Sequence, residues 1–159
     1  GTVTLGEVLT VLPFGNLVST LELKGADVVA ALENGVSTVT LEAGMVKRAG
    51  AAGRFPQVAG VRFTIDPTLE AGSRVANVEV WTDGAWAPID PEAVYTVATN
   101  DFMRRGGDGY TMFNDNAINP YDFGRPLDQV VADYIVAHGP VTTEVEGRIT
   151  YVNAEVQPR

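Results

Sequence analysis

The chain has 159 residues, 45% hydrophobic and 19% charged, which suits one soluble globular domain and excludes a disordered segment. Its net charge of −9 argues against a nucleic-acid polymer as partner, because a phosphate backbone needs a basic face. Cysteine is absent, so disulfides, thiol nucleophiles and thiolate metal sites are excluded, and no apolar run approaches the roughly 20 residues of a membrane helix.

Thr4-Leu5-Gly6-Glu7 has the form of a capping box and predicts a short helix through Leu12, stopped by Pro13. Leu17, Ser19, Leu21 and Leu23 alternate with Val18, Thr20 and Glu22, the pattern of a strand. Gly25 opens a second helix through about Asn34, with Val28, Val29, Leu32 and Val36 near helical spacing, and Asn34-Gly35 reads as its stop. Residues 37–53 read as a loop punctuated by Gly44, Gly50 and Gly53. A strand over Val61–Ile65 is ended by Pro67. Strands over Val75–Thr82 and Ala85–Ile89 flank Asp83-Gly84, a strong hairpin signal, with Trp81 and Trp86 placed to pack across it.

Val94–Thr99 is a further strand, and it delivers the most informative stretch, Asn100-Asp101-Phe102-Met103-Arg104-Arg105-Gly106-Gly107-Asp108-Gly109-Tyr110. Three glycines around one carboxylate at a strand end suit either a tight turn or a small-molecule loop. The Asn- and Pro-rich segment 114–126 reads as a loop. A last helix follows from Pro126 to about Ala137, with Leu127, Val130, Val131 and Tyr134 on one apolar face and Gly139-Pro140 as its stop. Arg148–Val152 is the final strand. About six strands and three helices predict an α+β fold, a single domain over 1–159 with a mixed β-sheet. With no Met at Gly1 and no signal peptide, the chain reads as a domain excised from a longer protein.

No catalytic apparatus is legible. The single histidine, His138, falls at a predicted helix C-terminus, where capping the last carbonyls is its ordinary role. It has no second histidine or cysteine with which to build a metal centre. Asn114-Asp115-Asn116 lacks the Gly and Glu of a calcium loop, and no phosphate-loop, nucleophile-elbow or dinucleotide fingerprint occurs.

Asn100-Asp101-Phe102 followed by Gly106-Gly107-Asp108-Gly109-Tyr110-Thr111-Met112-Phe113 closely resembles the C-terminal domain of the 5'-nucleotidase family. Val11-Leu12-Pro13-Phe14-Gly15-Asn16 and Leu21-Glu22-Leu23-Lys24-Gly25 are similar to it in the same order, as are Phe55-Pro56-Gln57-Val58-Ala59-Gly60 and Tyr95–Asn100. The resemblance runs from about Val3 to Ile149.

It implies a substrate-binding domain whose partner, an N-terminal metallophosphatase domain of the same polypeptide, holds two divalent metals and does the hydrolysis. That partner is not in this chain, so neither a catalytic residue nor a metal or cofactor is expected here. The implied substrate is a nucleoside or nucleotide, its base clamped between two aromatic rings that carry over to Phe14 and Phe102. Stacking on such rings is worth about 1–3 kcal/mol per base. Read from the residues alone, core packing and ligand stacking both stand for these two phenylalanines. Asp108 carries over to the carboxylate that accepts from the ribose hydroxyls, against the plainer reading of a turn-forming Asp. Gly15, Asn100 and Gly107 complete the implied substrate-binding set.

Two departures from the family are visible. Its Gly-rich segment with an Asn and an Arg, just upstream of the position of Gly1, is absent, and Met103-Arg104-Arg105 replaces small or neutral residues. The two arginines are expected to balance an acidic surface, with phosphate contact as the other reading. The resemblance further implies an exported bacterial hydrolase, periplasmic, cell-surface or secreted. Rival readings keep the architecture for a cyclic-nucleotide phosphodiesterase/3'-nucleotidase, a UDP-sugar hydrolase or a thiosulfohydrolase, or treat the domain as a non-catalytic surface or dimerisation module.

Overall fold

A computed structural model describes residues 1–48, 53–142 and 144–155. In chain order the elements are α1 (Leu5–Val11), β1 (Val18–Lys24), α2 (Gly25–Val36), β2 (Val39–Glu42), β3 (Met45–Arg48), β4 (Val61–Ile65), β5 (Val75–Thr82), β6 (Ala85–Pro88) and β7 (Val94–Asn100). Then follow α3 (Asp101–Arg104), a 3-10 turn (Gly107–Gly109), α4 (Met112–Asp115), β8 (Ile118–Tyr121), α5 (Leu127–His138) and β9 (Ile149–Tyr151).

The strands form three sheets. One is antiparallel, in the order β7-β1-β8; a second is the β2-β3 hairpin; the third runs β6-β5-β4-β9 and is mixed, because β9 lies parallel to β4. The α+β class and the mixed sheet follow the sequence expectation, and α2 joins the two larger sheets. Leu32 and Val36 of α2 meet Val39, Phe63, Ile65 and Val78 in one buried cluster. Ala31, on a neighbouring face of the same helix, meets Leu21, Leu23, Tyr110 and Phe113 in the other. Strand β1 shows the expected alternation, with Ser19, Leu21 and Leu23 buried. A central strand that buries only one face is what an antiparallel sheet with one solvated side requires.

Local signals account for several boundaries. Thr4 and Glu7 close the capping box of α1 in both directions. Asp83 and Gly84 both take positive φ, 51° and 82°, as a two-residue hairpin turn demands. Trp81 and Trp86 are cross-strand partners whose rings meet edge to face at 5.2 Å. His138 Nδ1 lies 3.0 Å from the Tyr134 carbonyl, the expected capping role.

Four expectations need correction. Residues 37–53 are not simply a loop: β2 and β3 pair through an Ala43-Gly44 turn with φ of 50° and 80°, while 49–52 lie outside the described residues. An alanine in that turn hides the hairpin, since Asn or Asp ordinarily marks it. The 114–126 segment contains the end of α4 and all of β8, which pairs with β1, so the described strands number nine rather than about six. Helix α2 passes through Asn34-Gly35 to Val36. Gly35 is there for close packing, because a Cβ on it would lie 2.6 Å from Pro56 Cδ and 2.8 Å from the Tyr110 hydroxyl. On α5, Leu127, Val130 and Val131 are half-buried, but Tyr134 is exposed and stacks on His138 with ring centres 4.3 Å apart.

Candidate nucleoside site

The first half of the site is the turn between α1 and β1. Pro13 cannot continue the helix, and Gly15, at φ 65°, reverses the chain toward β1. Phe14 stands between them, 85% exposed.

The second half begins where β7 ends. Asn100 is the N-cap of α3, its side-chain oxygen accepting from the Met103 N–H at 2.8 Å. Phe102, on α3, is 52% exposed. Beyond it Gly106, Asp108 and Gly109 take φ of 91°, 53° and 82°, which curls the glycine loop back over α3. Gly107 lies directly under the Phe102 ring: a Cβ there would be 2.5 Å from Phe102 Cδ1. Neither phenylalanine is in the core, so the packing role left open for them in the sequence does not apply.

The two halves meet through Asp101. Its Oδ1 accepts from the Asn16 side-chain amide at 3.1 Å and from the Leu17 N–H at 3.0 Å, across 85 and 84 residues of chain. Its own N–H donates to the Leu17 carbonyl at 3.0 Å. Partial burial opposes ionisation of Asp101, but the Asn16 and Leu17 donors outweigh it and hold the carboxyl below its ordinary range.

Asp108 sits on the flank of the loop nearest Gly53. A Cβ on Gly53 would lie 3.1 Å from Asp108 Oδ2, and among the described residues no donor bonds to that carboxylate. The Asp108 main-chain carbonyl instead accepts from the Asn34 amide at 3.1 Å. Next to it Tyr110 is 2% exposed, stacks on Phe113 and donates to the Arg54 carbonyl at 2.5 Å. Burial pushes its phenol up to about 12, so the hydroxyl keeps its proton near neutral pH and donates it to this bond as a structural pin.

Arg104 does not lie on the surface as expected. Its Nε and Nη2 bind both oxygens of Asp122 at 2.5 and 2.6 Å, with side chains only 12% and 14% exposed. Arg105 is the exposed one, 3.4 Å from the same carboxylate. The Arg104 hydrogen bonds hold the Asp122 carboxyl below its usual range. Sequence reasoning expects Asp101 to shape the loop and Asn34 to end a helix, but it does not find their partners, nor Asp122 at all. Their partners lie far away in sequence, and no local motif marks such pairs.

Among the described residues no group of three His, Cys, Asp or Glu is placed to hold a metal ion. No helix among them is long and apolar enough to cross a membrane. A broad groove beside α2, lined by Ala30, Glu33 and Ser73 among others, lies apart from the motif residues, and its Glu33 is occupied by the N–H groups of Arg74 and Val75.

Known proteins resemble this chain over nearly its whole length. A family model described as 5'-nucleotidase, C-terminal domain, matches residues 1–115. The trifunctional nucleotide phosphoesterase protein YfkN of Bacillus subtilis is 37% identical over 154 residues, covering 96% of this chain and 10% of that protein. An apyrase of Tabanus yao is 33% identical over 157 residues, covering 96% of this chain and 27% of its own length. The crystal structure of a 5'-nucleotidase precursor from Thermus thermophilus superposes with a TM-score of 0.85 at 40% identity, over 96% of this chain and 28% of that one. This chain thus spans about a quarter or less of each of these relatives. It belongs to the 5'-nucleotidase family, in which it matches the C-terminal domain.

Proposed function

We propose that the chain is the nucleoside-binding domain of a 5'-nucleotidase-type phosphohydrolase and that it clamps the base between Phe14 and Phe102. The observation that carries this reading is the Asp101 junction, which ties together two segments that each present an exposed phenylalanine. Large exposed rings beside conformationally special glycines cost solubility and suit a flat ligand. Asp108 is the ribose acceptor: its carboxylate accepts no bond from the described residues, so two vicinal hydroxyls fit its lone pairs. Gly107 lets the Phe102 ring lie flat on the loop, Gly15 turns Phe14 outward, and Asn100 fixes the start of α3.

Hydrolysis itself belongs to a metallophosphatase domain of the same polypeptide, carrying two divalent metals. In this reading the residues of this chain bind and orient the nucleoside. Export to the periplasm, cell surface or medium is part of the proposal, supported by the acidic charge and by the Thermus relative being named a precursor.

Saturation-transfer NMR with adenosine, AMP and a sugar control tests the binding role. Base-proton signals that vanish in Phe102→Ala are the expected result. Equal signals in the variant, from a folded sample, would refute the clamp.

A further inference from the structure

Two exposed rings grip a base only if their separation is fixed, and neither ring fixes itself. Helix α3 has four residues, far short of what an isolated helix needs to persist. Among the described residues the Phe14 turn has no strand pairing before Leu17. Its foot is held on one side by the Leu127 N–H donating to the Asn16 carbonyl, which leads away to α5. On the other side the bonds run to Asp101, the residue immediately before Phe102, through the Asn16 amide, the Leu17 N–H and the return bond from the Asp101 N–H.

Resting on the clamp reading above, we propose that Asp101 is a positioning residue of the nucleoside pocket: its carboxylate holds the Phe14 turn against the start of α3 and thereby sets the gap into which the base slides. A carboxylate suits this task because it is acceptor-only and one oxygen takes two donors, each bond strengthened by the charge. Alanine would leave the Asn16 amide and Leu17 N–H without their acceptor. Asparagine would keep an acceptor oxygen but lose the charge. The backbone bond between Asp101 and Leu17 survives in both, so the sheet register need not change.

The test is adenosine binding to the 159-residue chain followed by NMR, with contacts from base protons to each labelled phenylalanine ring as the positional readout. Phe14→Ala and Phe102→Ala come first; if both bind adenosine as wild type does, the clamp reading fails whatever Asp101 does. Given that both weaken binding, Asp101→Ala is expected to lose about tenfold in affinity, the scale of a lost charge-assisted bond, and to keep base contacts to only one ring. Asp101→Asn is expected to stay within about threefold of wild type with both contacts present, a rescue that general destabilisation would not predict. Wild-type affinity with both ring contacts in a folded Asp101→Ala overturns the proposal. Should that variant not fold, Asn16→Ala decides, because it removes one donor and leaves the backbone bonds. A loss of about two- to threefold supports the role, and unchanged binding overturns it.

Discussion

The side-chain amide of Asn34, in the last turn of α2, donates to the main-chain carbonyl of Asp108 at 3.1 Å, 74 residues away. The helix that joins the two cores therefore also holds the glycine loop. Gly109 makes this approach possible, since a Cβ there would lie 2.7 Å from Asn34 Oδ1. Asn34→Ala is expected to cost about 1 kcal/mol of stability, the usual worth of one such bond. Because the lost bond ends on the residue proposed to hold ribose, adenosine binding is expected to fall more than adenine binding. Denaturant unfolding and parallel titrations of the two ligands check this, and equal losses for both would detach Asn34 from the ribose side.

Gly107→Ala separates fold from site in the opposite sense. The backbone at Gly107 is not in the left-handed region, so alanine is tolerated there, but its methyl would occupy the place of the Phe102 ring. That ring is half exposed and can swing away. Stability is expected to change by less than about 1 kcal/mol, while base binding loses most of one stacking contribution, about 1–3 kcal/mol. Thermal melting together with adenosine titration decides it. A large drop in melting temperature with unchanged binding would contradict the placement.

These positions show what a sequence carries. The capping box at Thr4, the Asp83-Gly84 turn and the alternation along β1 are local, and each was legible because neighbouring residues supply both halves of the interaction. Phe14, Phe102 and Asp108 enter only as what the family resemblance implies, and the structure adds that both rings are exposed. The ties that assemble them were not legible. Asp101 needs Asn16, Asn34 needs Asp108, and Arg104 needs Asp122, all pairings across a fold that has to exist first. The β2-β3 hairpin escaped because Ala43 takes a backbone conformation that alanine seldom adopts. The burial of Arg104 is not legible, because a sequence shows a residue's charge and not its surroundings.

The Arg104–Asp122 pair gives the fold an acid limit. Asp122 titrates below its unfolded value of about 3.9, so its stabilising contribution is complete above that value and fades as pH falls through the lower folded pKa. Asp122→Asn is expected to cost about 2–3 kcal/mol near neutral pH, somewhat under the cost of breaking a fully buried pair because both side chains keep some solvent contact. The difference from wild type should narrow below about pH 4, where the wild-type carboxylate is also being lost. Urea unfolding of both proteins from about pH 3 to 7 measures it, and a gap that widens toward acid would reverse the sign.

Arg74 carries the remaining unpredicted load. Its Nη1 donates to the carbonyls of Val36, Ser37 and Val39 at 3.1, 2.9 and 2.8 Å, and its Nε donates to Leu69 at 2.8 Å. These include carbonyls at the C-terminal end of α2, where the chain leaves the helix for β2 and where a cation also faces the negative end of the helix dipole. Arg74→Ala would strand several part-buried acceptors at once and is expected to cost about 2–4 kcal/mol. Lysine has one compact ammonium and cannot reach in two directions, so Arg74→Lys should recover less than half of the loss. Adenosine binding is expected to stay close to wild type in the lysine variant, because among the described residues the Arg74 side chain bonds to Leu69, Val36, Ser37 and Val39 and to none of the proposed pocket residues. Chemical denaturation with a ligand titration at full foldedness tests both statements. A lysine variant as stable as wild type would show that charge, and not the guanidinium's spread of donors, is what this corner of the fold requires.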